Sequence, residues 1–222
     1  MTTTARVHQS RTSSQMSTSD ERFYAELQKE IAEKRKQRVI RSLEQSGLTE
    51  AIKRQTFDSF EDTEDWQKRA KRTCMEYAEN FDGWMLVSGP SGCGKTHLCT
   101  AVVGKMIDQD IPVVYMLYRD EMGKLKQEER EKRMDMFKRA SCLYIDDLFK
   151  GGVTEADIRI MFELLDYRYR ANRITIISTE LSAAELRSVD DAIAGRIIEK
   201  AKTVFIKQDA NRNYRFRKTR RK

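Results

Sequence analysis

The apolar positions of this chain follow two alternating rhythms. Solid apolar runs, Trp84 to Val87, Ile111 to Leu117, Cys142 to Ile145 and Ile174 to Thr179, predict strands buried on both faces. A fifth strand is expected over Thr203 to Lys207. Between the runs, apolar residues recur at three- and four-residue spacing, as Leu98, Ala101, Val102 and Met106 do. Further helices are expected over 65–80, 121–139, 154–170 and 190–201. Strands alternating with helices predict an α/β fold, a mostly parallel sheet covered on both faces. Such sheets gather ligands at the C-terminal ends of their strands, and Gly89, Asp146 and Thr179 all fall there.

The N-terminal part lacks this rhythm. Residues 1–19 are rich in Ser and Thr with little to bury, and are expected to be disordered. Thr18-x-x-Glu21 fits a capping box, opening a helix expected to reach about Gln45 and to stop at Gly47. Phe23, Tyr24, Leu27, Ile31, Val39, Ile40 and Leu43 are too sparse around a charged middle to form a core element. Segment 20–48 is therefore expected to be a helical partner-docking arm, with a solvated extension as the alternative, ahead of a catalytic domain over 49–211 and a basic tail over 212–222.

One stretch carries recognisable chemistry. Gly89-Pro90-Ser91-Gly92-Cys93-Gly94-Lys95-Thr96 fits G-x-x-x-x-G-K-T between a strand and a helix, the context in which this pattern is a phosphate loop. Glycines let the backbone curl its N–H groups into an anion nest at a helix N-terminus. Lys95 is expected to reach the β- and γ-phosphates and Thr96 to coordinate Mg2+. With His97, residues 89–97 form the expected nucleotide-binding segment. The third strand ends in Asp146-Asp147, where Asp146 would hold Mg2+ and Asp147 would orient or deprotonate the attacking water.

Composition narrows the setting. The four cysteines, Cys74, Cys93, Cys99 and Cys142, form no C-x-x-C pair, and Cys93 lies inside the phosphate loop. Free thiols in a reducing, cytoplasmic setting are expected, rather than disulfides or a zinc site. No apolar leader and no membrane-length apolar run is present, so neither a signal peptide nor a membrane span is expected. Net charge is +7 over 222 residues, and the seven basic residues of 212–222 account for it, leaving 35 basic against 35 acidic elsewhere. Such a tail suits nucleic-acid phosphates, with Tyr214 and Phe216 able to stack on bases; a solvated tail is the alternative, with the charged helix over 121–139 as the other candidate for DNA.

These residues resemble the AAA+ ATPases of the DnaC/DnaI helicase-loader family over roughly residues 50–217. The likeness rests on Thr56-Phe-Asp-Ser-Phe60, Gly89 to Thr96, Ile145-Asp-Asp147, Ile176-Ile-Ser-Thr179, Gly195-Arg196-Ile197 and Tyr214-Arg215. It implies strand order 5-1-4-3-2, binding of ATP with Mg2+, and ATP-dependent loading of a DnaB-type replicative hexameric helicase onto single-stranded DNA. It also implies self-association through the ATP site, with Arg196 (or Lys200) acting on a neighbour's ATP. The alternative for Arg196 is a surface pair with Glu199 or Asp191. The sensing position, usually Asn, falls at Ser178-Thr179-Glu180, with Thr179 as the candidate. Fifteen residues after Lys207 are too few for a helical lid, so a weak ATPase is expected. An IstB-like transposition helper ATPase is the competing reading. A small P-loop kinase is a third, for which neither acceptor site nor lid is visible.

Overall fold

The computed structural model describes residues 22–31, 33, 34, 37, 48–126, 130–209 and 212–214. The chain divides into two units, residues 1–34 and 35–222. In the first, helix α1 covers residues 22–31, and Phe23, Tyr24, Leu27 and Ile31 are exposed. The expected apolar positions Val39, Ile40 and Leu43 lie outside the described residues, as does the expected disordered stretch 1–19.

The second unit follows the expected alternation. Its elements are α2 (Thr49–Arg54), α3 (Asp65–Asn80), β1 (Trp84–Ser88), α4 (Lys95–Asp108), β2 (Val113–Leu117), α5 (Tyr118–Lys124) and α6 (Arg130–Arg139). They continue with β3 (Cys142–Leu148), α7 (Glu155–Arg170), β4 (Ile174–Thr179), α8 (Ala183–Val189), α9 (Asp191–Lys200) and β5 (Ala201–Phe205). All pairings are parallel and the strand order is β2-β3-β4-β1-β5, the order implied by the family resemblance.

Period-two alternation splits each strand between two cores. Met85 and Val87 of β1 join Leu98, Val102 and Met106 of α4 and Cys74 and Tyr77 of α3 on one face. Trp84 and Leu86 join Met161, Leu164 and Leu165 of α7 and Ile193 and Ile197 of α9 on the other. Both faces being covered explains why these strands read as solid apolar runs. Leu48, assigned above to the arm, is 4% exposed and packs in the first of these cores.

The structure departs from the sequence reading at four places. The helix expected over 121–139 is two helices. Tyr118, Met122 and Leu125 bury against the same core as Met134 and Phe137. On one continuous helix, the nine residues from Leu125 to Met134 would put these two on opposite faces, since a turn takes about 3.6 residues. A break between them is what lets both groups face inward. Helices α2 and α8 are additional to the expected helices, and Ser182 and Glu185 cap α8 reciprocally, with Ser182 N–H donating to Glu185 Oε2 at 2.7 Å. Finally, β5 starts at Ala201 because α9 runs straight into it.

Candidate nucleotide site

Register brings the chemistry to one edge. Ser88, the last residue of β1, pairs with Thr179 at the end of β4 and with Phe205 at the end of β5. Leu117 pairs with Asp146. The loop after β1 starts with Gly89 N–H donating to the Thr179 carbonyl at 3.2 Å. It passes directly into α4, whose N-cap is Gly94 with φ 97°. A cleft of about 310 Å3 opens there, lined by Ser91 to His97, by Asp147, Lys150 and Glu180, and also by Phe60 and Tyr214.

The loop is clasped by segments far away in sequence. A Cβ built on Gly92 would lie 2.2 Å from Asn213 Oδ1, one on Gly94 would lie 2.8 Å from the Phe60 ring, and one on Gly89 would lie 2.7 Å from Ile206 Cβ. Tyr214 N–H donates to the Gly92 carbonyl at 2.9 Å. Arg212 and Tyr214, expected to serve nucleic acid, therefore pack against the phosphate-loop side of the second unit, and the Arg212 guanidinium sits 5.1 Å over the Trp66 ring. Gly94→Ala is expected to lower thermal stability and nucleotide affinity together, because φ 97° disfavours a side chain and the Phe60 ring stands in its way. Thermal melts and a nucleotide titration check this; wild-type values in both would show that the loop tolerates the methyl group.

Lys95 is 5% exposed, and its ammonium donates to the Pro90 carbonyl at 3.0 Å, curling the loop around it. Asp146, 3% exposed, receives hydroxyl donors from three elements. Thr96 Oγ1 donates to Oδ1 at 3.2 Å, Tyr115 OH donates to Oδ2 at 3.1 Å, and Ser178 Oγ also donates to Oδ1. Burial, followed by the charge of Asp146, pushes the Tyr115 hydroxyl far above its ordinary range, so it stays a donor. A carboxylate facing a threonine hydroxyl is the all-oxygen donor set that Mg2+ uses beside nucleotide phosphates, so these residues fit that ion.

Asp147 is reached through a left-handed turn, φ 55° followed by Phe149 at φ 63°. Its N–H donates to Ser178 Oγ at 2.9 Å, and its carboxylate pairs with Lys150 at 2.9 Å. The same Lys150 lies 3.0 Å from Glu180, which is 3.9 Å from Lys95. Burial alone would raise the Glu180 carboxyl, but Lys150 and Lys95 outweigh it and hold it below the usual range. Burial likewise opposes charge on Lys150, yet Asp147 and Glu180 together raise it above an ordinary lysine. The sequence motifs assign a role to neither Lys150 nor Glu180.

The remaining expected site residues vary in their distance from this chemistry. His97 lines the cleft, but its Nε2 faces the Thr56 carbonyl at 2.9 Å and its ring meets Phe60 edge-on at 5.2 Å. Cys93 is buried, and burial pushes its thiol up, so it is no ready nucleophile. Thr179 is fully buried, donating to the Leu148 carbonyl at 2.9 Å and accepting from Leu181 N–H at 3.2 Å. Strand alternation turns its neighbour Ser178, not Thr179, toward Asp146. Arg196 does not line the cleft. It forks onto Asp166 Oδ1 at 2.9 and 3.1 Å and lies 4.8 Å over the Phe162 ring, so the expected surface partners Glu199 and Asp191 are replaced by Asp166. Lys200 donates to Asn172 Oδ1 at 3.0 Å. Among the described residues, no helix is long and apolar enough to cross a membrane.

A parallel sheet in this order, with a phosphate loop after β1 and an acidic pair just before the end of β3, defines a P-loop fold of the AAA+ class. The chain belongs to the IstB-like ATP binding protein family, whose model matches residues 1–221. It is 29% identical over 180 residues to the uncharacterized protein YqaM of Bacillus subtilis, covering 73% of this chain and 58% of that one. It is 30% identical over 179 residues to the phage-like element PBSX protein XkdC of Bacillus subtilis, covering 73% of this chain and 67% of that one. Among solved structures, the DnaC helicase loader superposes with a TM-score of 0.64 at 24% identity, over 68% of this chain and 96% of that chain.

Proposed function

We propose that this chain is an ATP-switched helicase loader, which binds a DnaB-type hexameric helicase and helps place it on single-stranded DNA. The observation that carries the reading is the meeting of Lys95, Thr96, Asp146 and Asp147 at one sheet edge, in the fold of the DnaC loader. The loop N–H groups and Lys95 hold the phosphates. Thr96 and Asp146 would hold Mg2+, which supplies positive charge against phosphate oxygens when bound. Asp147 orients the attacking water, with Ser178 fixing its backbone. Arg196 serves the ATP of a neighbouring subunit, leaving Asp166 when that interface forms. A second reading, a helper ATPase for transposition, is favoured by membership in the IstB-like family and by the likeness to insertion-sequence ATP-binding proteins, 26% identical over 132 residues and 29% over 147.

Two experiments test this. The first captures purified hexameric helicase with the full chain, with and without ATP. Capture is expected with ATP and is expected to vanish when residues 1–46 are removed, while ATP binding persists. The motive is the exposed row Tyr24, Leu27 and Ile31 on α1. Failure to capture helicase, together with capture of a transposase or of duplex DNA, would move the assignment to the second reading. The second experiment measures ATP turnover. Asp147→Asn should bind ATP but hydrolyse it more slowly by about 100-fold or more. Arg196→Ala and Lys95→Ala should each be inactive alone and recover part of the activity when mixed. Absence of recovery at every ratio removes Arg196 from the site.

A further inference from the structure

We infer that Lys150 is a second cation for the terminal phosphate of a nucleoside triphosphate, and that Glu180 occupies that anion position until the phosphate arrives. The inference rests on the nucleotide reading above and adds to it the group that distinguishes a triphosphate from a diphosphate.

The geometry is that of an anion site filled from within. A single oxygen, Glu180 Oε1, lies 3.0 Å from Lys150 Nζ and 3.9 Å from Lys95 Nζ. Lys95 is the loop lysine and is almost wholly buried, so the oxygen beside it stands at the loop's phosphate face. A carboxylate oxygen held between two ammonium groups is a fair chemical stand-in for a phosphate oxygen. The backbone holds it there. Thr179, the residue before Glu180, accepts the N–H of Gly89, the first residue of the loop, and the Glu180 carbonyl accepts from Gln208 Nε2 at 3.1 Å.

Charge decides the outcome when a nucleotide enters. Lys95 and Lys150 balance Asp147 and Glu180 in the structure as it stands. A third phosphate brought to Lys95 while Glu180 remains would place like charges side by side in a part-buried cleft, where repulsion is poorly screened. Glu180 is 32% exposed at its side chain and can swing outward. Lys150 is able to follow the new anion. It precedes Gly151 and Gly152, at φ 91° and 98°, and a Cβ built on Gly152 would meet nothing within 4 Å. The exchange also frees Asp147, which Lys150 pairs with at 2.9 Å. A diphosphate leaves the Lys150–Glu180 pair in place. The cleft therefore reads the third phosphate through an exchange of ion pairs and exposes the Asp147 carboxylate in the same event.

The test titrates the full chain with fluorescent ATP and ADP analogues in the presence of Mg2+. Lys150→Ala should weaken ATP by about tenfold and change ADP by less than about twofold, as expected for one charge-assisted contact. Lys150→Arg should restore the preference for ATP, and Glu180→Gln should tighten ATP several-fold by removing the internal competitor. Lys150→Gln gives the same readout if the alanine variant does not fold, and thermal melts of the nucleotide-free proteins identify that case. Equal weakening of ATP and ADP in Lys150→Ala, an unchanged ratio, or weaker ATP binding in Glu180→Gln overturns the inference. Lys95→Ala in the same titration separates the two levels. If the wild-type chain binds neither nucleotide, or Lys95→Ala binds both normally, the nucleotide reading itself fails. If Lys95→Ala loses both while Lys150→Ala keeps the wild-type ratio, only the role of Lys150 and Glu180 falls.

Discussion

Lys95→Ala abolishes measurable ATP binding in the expected outcome, with a loss of about 100-fold or more. The size reflects where the ammonium sits. It is 5% exposed, so its interaction with a phosphate is little screened by water. It lies at the first residue of α4, whose free N–H groups and dipole already favour an anion. Its bond to the Pro90 carbonyl at 3.0 Å also shapes the loop, so alanine removes both the charge and the brace. The fold should survive, because the hydrophobic side of α4, Leu98, Val102 and Met106, is untouched. Calorimetric titration with ATP beside a thermal melt gives the answer. Wild-type affinity in a folded Lys95→Ala protein would falsify the central assignment.

The largest expected loss of stability lies far from the loop, at Arg168. This arginine is fully buried within α7, between α6 and the start of β4. Nε donates to Thr175 Oγ1 at 3.0 Å, and NH1 donates to the carbonyls of Phe137, Lys138 and Ala140 at 2.8, 3.2 and 3.0 Å. NH2 donates to the Ile174 carbonyl. One guanidinium thus gathers carbonyls from the last turn of α6, from Ala140 just beyond it and from the first residue of β4, and the last carbonyls of a helix have no donor within it. Burial lowers its pKa to about 10, yet it remains a cation at neutral pH. Arg168→Ala strands these buried carbonyls and opens a cavity, at a cost of roughly 3–5 kcal/mol. A chain of this size then melts lower by about 10 °C. Arg168→Lys should rescue little, since one ammonium cannot replace a planar fork. A lysine variant with the wild-type midpoint would show that these carbonyls do not need the fork.

The contrast between these two residues shows what a linear pattern can reveal. The phosphate loop is legible because its whole chemistry lies in eight consecutive residues, Gly89 to Thr96, and because solid apolar runs announce strands covered on both faces. Asp146 is legible as a charge ending such a run. Arg168 sits near a helix end among Arg170 and Arg173, where a basic residue ordinarily reads as a solvated dipole partner. Only the arrival of α6 on that side makes it a core residue. Lys150 and Glu180 are separated by a helix and a strand, so their shared position at the loop comes from the β3–β4 pairing and from nothing local. Motif position points to Thr179 because it says which strand end matters, while the pleat decides that Ser178 is the side chain facing the site. For α8 the Ser182-x-x-Glu185 box is a local signal, readable without the fold.

The clasping of the phosphate loop has a consequence for biosynthesis. β1 lies between β4 and β5, so its backbone stays without sheet partners until residues 174–179 and then 201–205 exist. Gly89 leans on Ile206, and the Gly92 carbonyl takes its hydrogen bond from Tyr214. The motif is thus translated long before the surfaces that shape it. A ribosome-bound chain ending before β4 would carry all eight loop residues without the strands and contacts that shape them. Nucleotide capture is therefore expected only once translation has passed Tyr214, and a product truncated ahead of β4 is expected to bind no ATP.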